Sequence, residues 1–128
     1  MTAPAKTILV VDDAALARAY YRSTLESAGF RVEEAFNGLE ALEALLGSPV
    51  DLLIVDINMP QMDGLSFLKL LRQKESPLAS IPALVTSTEA AEADFAAARA
   101  AGANYYLVKP VERERLVELA RMLCGVAP

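Results

Sequence analysis

At 128 residues, with 54% of them hydrophobic, this chain has the size and composition of one domain with its own core. It contains no histidine and a single cysteine, Cys124, which excludes imidazole-based catalysis, an internal disulfide and a thiolate zinc cluster. The net charge of −5 argues against nucleic acid as a partner; residues 1–6 lack a signal-peptide pattern, and no apolar run is long enough for a membrane span, so a cytoplasmic protein is expected.

Thr7–Val11 opens the chain as an apolar, β-branched strand. Asp13 is placed to cap a helix that runs to about Ala28 and closes at Gly29. Phe30–Ala35 follows as a second strand; its alternation through Arg31 and Glu33 puts it at a sheet edge. Leu39, Leu42, Leu45 and Leu46 predict one buried face of a second helix, with Gly47 just past its end. Leu52–Val55 is a third strand, apolar throughout and therefore central. Leu65, Leu68 and Leu71 mark a third helix that starts at Gly64 and stops before Pro77. Ile81–Val85 is a fourth strand, and the alanine-rich stretch from Glu89 to Ala101 predicts a helix closed by Gly102. Tyr105–Val108 is the last strand, and Leu116, Leu119, Ala120 and Leu123 line a final helix beginning after Pro110. Strict β/α alternation predicts a doubly wound parallel sheet with helices on both faces, filling residues 1–128 as a single domain with its core over about 6–124.

Ligands of such sheets bind beyond the carboxyl ends of the strands. Here those ends carry Asp12 and Asp13, then Asp56, then Thr86 and Ser87, then Lys109 and Pro110. Taken singly, Asp13 reads as a helix cap, Asp56 as an Asx-turn residue, Thr86 or Ser87 as a cap and Lys109 as a solvated lysine. Taken together, the carboxylates repel one another unless some protonate or a cation joins them. Oxygen ligands alone favour a hard ion, and few protein ligands favour Mg²⁺. Such an ion keeps positions for phosphate oxygens, while Lys109 and Thr86 supply a positive charge and a hydrogen bond, the equipment of phosphoryl transfer.

Val10-Val11-Asp12-Asp13, Asp56-Ile57-Asn58-Met59-Pro60-Gln61-Met62-Asp63-Gly64, Val85-Thr86 and Tyr106-Leu107-Val108-Lys109-Pro110 together resemble the receiver domain of two-component response regulators, over essentially the whole chain. The resemblance implies a flavodoxin-like fold with strand order 2-1-3-4-5. It makes Asp56 the phosphoacceptor, attacking the phosphohistidine of a sensor histidine kinase or histidine phosphotransfer protein. Asp12, Asp13, Asp56 and the backbone carbonyl of Asn58 would bind Mg²⁺, Lys109 would contact the phosphoryl group and Thr86 would move to hydrogen-bond it. Tyr106 would then change rotamer, altering the surface of the fourth helix, fifth strand and fifth helix. The family also implies a cis bond between Lys109 and Pro110, and self-catalysed phosphorylation and slow dephosphorylation. The missing histidine is consistent with this role, since the partner brings it.

Val111, Ser87 and Tyr105 stand where many relatives have phenylalanine, alanine and glycine; Tyr105 is expected to pack on the opposite sheet face from Tyr106. Met59, Met62 and Met122 read as packing residues and Cys124 as inert. An aspartyl-phosphate phosphatase of the haloacid dehalogenase type would need an acid where Ala14 stands, and a flavodoxin would need a hydroxyl- and glycine-rich first loop. A non-phosphorylated interaction module would have no use for the acidic set. With no output domain after Cys124, the expected roles are a stand-alone chemotaxis-type regulator acting on a downstream protein such as the flagellar motor switch, a phosphorelay intermediate, or a receiver cut from a larger regulator.

Overall fold

The computed structural model of the chain describes residues 4–126. Strands β1 (Thr7–Val11), β2 (Arg31–Ala35), β3 (Leu52–Asp56), β4 (Ala83–Ser87) and β5 (Tyr105–Val108) form one parallel sheet in the order β2-β1-β3-β4-β5. Helices α1 (Ala15–Ser27), α2 (Gly38–Gly47), α3 (Gly64–Arg72), α4 (Glu92–Ala101) and α5 (Arg113–Cys124) alternate with them, and a single 3₁₀ turn, Leu78–Ser80, precedes β4. This is the expected doubly wound, flavodoxin-like fold, with β2 at an edge as its alternating pattern predicts. None of the helices among the described residues is long and apolar enough to cross a membrane.

Because strand side chains alternate between faces, each central strand feeds two cores. Ile8, Val10, Ile54 and Leu84 pack beneath α1 and α5 with Tyr21, Leu25, Leu116 and Leu119. Leu9, Val11, Leu53, Val55 and Val85 pack beneath α2, α3 and α4 with Leu45, Phe67, Leu68 and Ala98. Tyr105 and Tyr106 divide between these two cores, as expected. Cys124 is buried and its thiol is pushed up to about 11 by that burial, which keeps it unreactive.

Several local expectations are corrected. Asp13 does not cap α1: the N-cap is Ala14, without a side-chain cap, and Asp13 stays exposed. The buried stripe of α2 is Gly38, Ala41 and Leu45, whereas Leu39 and Leu46 are 54% and 77% exposed. Gly47 is the last residue of that helix and not its first successor. β4 begins after Pro82, which has no N–H for the ladder, and runs through Thr86 and Ser87, which do not follow it, because Thr86 is paired with Asp56 and Leu107 and Ser87 with Val108. Helix α4 starts at Glu92 because the Glu89 carbonyl is taken by the Tyr106 hydroxyl and the Glu89 N–H by Ser87 Oγ. The Asp94 carboxylate then reaches back to the Ala91 N–H and starts the helix. Met122 is exposed, while Met59 is buried and Met62 lies against Gly38.

The sequence gives no hint of the role of Arg72. Its guanidinium donates to the carbonyls of Gly102, Ala79 and Ile81 and to Asn104 Oδ1, tying the end of α3 to the end of α4 and the approach to β4. No carboxylate faces it in these bonds, and burial alone lowers its pKa. Arg72→Met should therefore cost about 2–3 kcal/mol, since it orphans several carbonyls at once. Urea denaturation would show this as a lower midpoint with an unchanged slope; an unchanged midpoint would contradict it.

Candidate functional site

The site lies at the carboxyl edge of the sheet. Side chains two residues beyond Val10, Ile54, Leu84 and Leu107 project to the α1/α5 side, and these are Asp12, Asp56, Thr86 and Lys109. The β3–β4 register sets Asp56 directly beside Thr86, and the Ile57 N–H donates to the Thr86 carbonyl at 3.0 Å. Asp12 follows β1, its Oδ1 accepting from the Ala14 N–H at 2.9 Å and its carbonyl from Arg18 at 2.7 Å.

Asp12, Asp13 and Asp56 each offer a carboxylate oxygen within 4.8 Å of the others. Asp12 and Asp56 are buried, and Asp13 closes the cluster from the solvent side. Lys109 Nζ lies 3.1 Å from Asp12 Oδ2 and 3.4 Å from Asp56 Oδ1. Its backbone N–H donates to the Ser87 carbonyl at 2.8 Å, and the Lys109–Pro110 peptide is cis, as the resemblance implies.

Burial, and then the charge of Asp12, push the Asp56 carboxyl above its ordinary range; Lys109 and the Asn58 N–H pull against this without prevailing. For Lys109 the balance is reversed. Burial works to lower its pKa, but the hydrogen bond and charge of Asp12 and the charge of Asp56 raise it, so the ammonium stays charged. One lysine thus shares a pocket with more negative charge than it can neutralise. The donor set consists of hard oxygens with one side open to water, which fits a divalent cation of the Mg²⁺ type.

Thr86 is fully buried and its Oγ1 has no hydrogen-bond partner. Asn58 sits beside the pocket, its N–H 3.4 Å from Asp56 Oδ1. Tyr106 lies farther along: its hydroxyl donates to the Glu89 carbonyl at 2.9 Å and its ring meets Phe95 edge-on at 4.7 Å. The structure therefore gathers Asp12, Asp13, Asp56, Lys109 and Thr86, and sets Tyr106 at the far end of the β4–α4 loop.

Two neighbours escape sequence reading. Gly64 sits so close beneath Asp56 that a Cβ there would come 2.4 Å from the Asp56 carbonyl oxygen. Tyr21, on α1, is buried and lines a cavity together with Lys109; its only trace in the sequence is an aromatic at an inward position of the helix.

Against known proteins, a family model described as the response regulator receiver domain matches residues 8–121. The chemotaxis protein CheY1 of Helicobacter pylori is 38% identical over 120 residues, covering 92% of this chain and 96% of that protein. The structure of chemotaxis protein CheY4 of Vibrio cholerae superposes with a TM-score of 0.87 at 33% identity, covering 94% of this chain and 99% of the other. The receiver domain of a signal transduction histidine kinase from Syntrophus aciditrophicus superposes with the same TM-score, 0.87, at 28% identity, covering 94% and 91%.

Proposed function

Since this chain belongs to the response regulator receiver family, we propose that it accepts a phosphoryl group on Asp56 from a histidine kinase or histidine phosphotransfer protein and signals through a changed protein surface. The observation that carries this reading is the pairing of a buried carboxylate, Asp56, with a charged lysine at 3.4 Å inside a cluster of three acids.

An Asp56 oxygen attacks phosphorus, the bond from phosphorus to the donor histidine nitrogen breaks, and the imidazole leaves with the electron pair. Asp12, Asp13, Asp56 and the Asn58 carbonyl would hold Mg²⁺, which when bound neutralises the carboxylates and the charge on the transferring oxygens. Lys109 turns from Asp12 and Asp56 to a phosphoryl oxygen. Thr86 donates its free hydroxyl to another, and its shift pulls on Ser87 and the loop whose Glu89 carbonyl holds Tyr106. Release of that contact re-sets the surface of α4, β5 and α5.

Relatives named as chemotaxis proteins support a motility output, with a flagellar motor component as the downstream target. Likeness to the receiver of a histidine kinase favours a second reading, a phosphorelay intermediate. A cytoplasmic setting belongs to both, as a reduced cysteine fits it.

Incubation with a small acyl phosphate should add one phosphoryl group, mapped to Asp56 by mass spectrometry, with Mg²⁺ but not with chelator. Modification elsewhere, or equal labelling under both conditions, would overturn the assignment. Asp13→Ala should lower Mg²⁺ affinity at least about tenfold. It should also raise metal-free stability slightly, about 0.5 kcal/mol, because an exposed like charge is removed and no cap is lost. A drop in the metal-free melting temperature would contradict this.

A further inference from the structure

Three bonds fix Asp12 before its carboxylate meets the pocket. Its N–H donates to the Ala35 carbonyl at 3.1 Å, continuing the β1–β2 pairing, and its Oδ1 accepts from the Ala14 N–H at 2.9 Å. Its carbonyl accepts from Arg18 Nη1 at 2.7 Å. Oδ2 is then left to face the pocket, where Lys109 Nζ stands 3.1 Å away. The first two bonds come from the backbone, but the third comes from a side chain on α1 that lies outside the cluster of acids.

Arg18 stands one turn into α1, and helical side chains lean toward the N-terminus, so its guanidinium reaches back past the uncapped start at Ala14 to the end of β1. There it is held in turn. Its Nε donates to Glu34 Oε1 at 3.0 Å, while the other oxygen of that carboxylate, Oε2, accepts from Arg22 Nε at 2.6 Å. Glu34 lies on β2 opposite Val10, one residue before the Ala35 carbonyl that takes the Asp12 N–H. β2 thus holds Asp12 twice, directly through Ala35 and again through Glu34 and Arg18. The planar guanidinium serves both acceptors at once, and its side chain is only 18% exposed.

We propose that Arg18 is a positioning residue for the acidic pocket: its guanidinium, fixed by Glu34, holds the Asp12 backbone so that Oδ2 stays turned into the pocket, toward Lys109 and a cation bound there. This rests on the reading of Asp12 as a cation ligand. Groups that orient a metal's ligands contribute to affinity without touching the metal. The sign of the effect separates positioning from charge. Arg18 and Arg22 are one turn apart on one face of α1, and loss of either positive charge would by Coulomb attraction alone favour a nearby cation. A fall in cation affinity on removing Arg18 therefore cannot come from its charge.

Wild type, Arg18→Met, Arg18→Lys and Arg22→Met would be titrated with Mg²⁺ in the absence of any phosphoryl donor and followed by amide NMR shifts. Methionine keeps the apolar stem and removes the guanidinium. Arg18→Met is expected to weaken Mg²⁺ binding about tenfold. Arg18→Lys keeps the charge but lacks the planar fork that serves Asp12 and Glu34 together, and is expected to weaken it about 2- to 5-fold. Arg22→Met loses a bond to the same Glu34 but none to Asp12, and is expected to bind within about twofold of wild type. Wild-type or tighter binding by Arg18→Met or by Arg18→Lys, or an equal loss in Arg22→Met, would overturn the role of Arg18 while leaving the cation site in place. No saturable Mg²⁺ binding by wild type would overturn the cation site and the Arg18 role with it. Melting temperatures in chelator show whether each chain is folded; where Arg18→Met is not, the affinity of Arg18→Lys decides by the same criterion.

Discussion

Asp56→Asn is expected to abolish phosphoryl uptake. The amide has nearly the shape of the carboxylate but no nucleophilic oxygen anion, and no other carboxylate at this edge shares its position beside Thr86 and Lys109. An intact-mass measurement after acyl phosphate and Mg²⁺ would show the unmodified mass alone; a remaining phosphoryl adduct of wild-type amount would sink the assignment. The same variant should fold more stably without metal. Asp56 is pushed above its ordinary range by burial and by Asp12, so its ionised form is disfavoured in the folded chain. The sign follows from proton linkage: the stability tied to its protonation is fully present below the unfolded carboxylate range of about pH 4 and is lost as pH rises through the folded value. Wild type should thus lose stability across that window while Asp56→Asn does not. The advantage of the variant should be present near neutrality and vanish toward about pH 4 and below. An equal pH dependence in both chains would show that Asp56 carries no such penalty.

Gly64→Ala should damage fold and site together. Its new Cβ would meet the Asp56 carbonyl oxygen at 2.4 Å, Val55 Cγ1 at 2.9 Å and the Asp56 carbonyl carbon at 3.0 Å. Two of these are backbone atoms of the central strand β3, which cannot swing aside as a side chain tip can. The Gly64 N–H also donates to the Ile57 carbonyl at 2.9 Å, so the helix start is pinned against the end of the strand. Relief must come from displacing α3 or the Asp56 peptide, at about 2–3 kcal/mol. A displaced Asp56 no longer faces Lys109 as before, and phosphorylation should slow by about tenfold or more. Gly47→Ala is the contrasting change: nothing lies within 4 Å of a Cβ there, and helix propensity should leave it neutral or stabilising by up to about 1 kcal/mol. Urea midpoints and phosphorylation rates on both variants test this. A Gly64→Ala chain as stable and as active as Gly47→Ala would refute the close-contact argument.

The local errors of sequence reading have a common physical source. Leu39 and Leu46 have the right residue type for a buried helical face, yet the direction of α2 against the sheet selects Ala41 and Leu45 instead. Asp13 precedes α1 as a cap should, but it remains exposed at the acidic cluster while Asp12 makes the local turn. The start of α4 depends on Tyr106 and Ser87 occupying the groups of Glu89, a contact spanning 17 residues for the tyrosine. Periodicity and capping rules see only neighbours along the chain, and these outcomes depend on what packs across it.

The β/α alternation, the edge position of β2 and the candidate residues at the strand ends are legible along the chain, because apolar runs and their bounding polar residues are local signals. The absence of histidine was equally legible and leaves the donor side of the proposed transfer to a partner. Folding in three dimensions is what sets Asp56 beside Thr86, divides Lys109 between Asp12 and Asp56, leaves no space for a side chain at Gly64 beneath the site and brings Tyr21 of α1 to the cavity at Lys109. Those relations arise from strand register and helix placement, which join residues far apart in the chain and which no local pattern encodes.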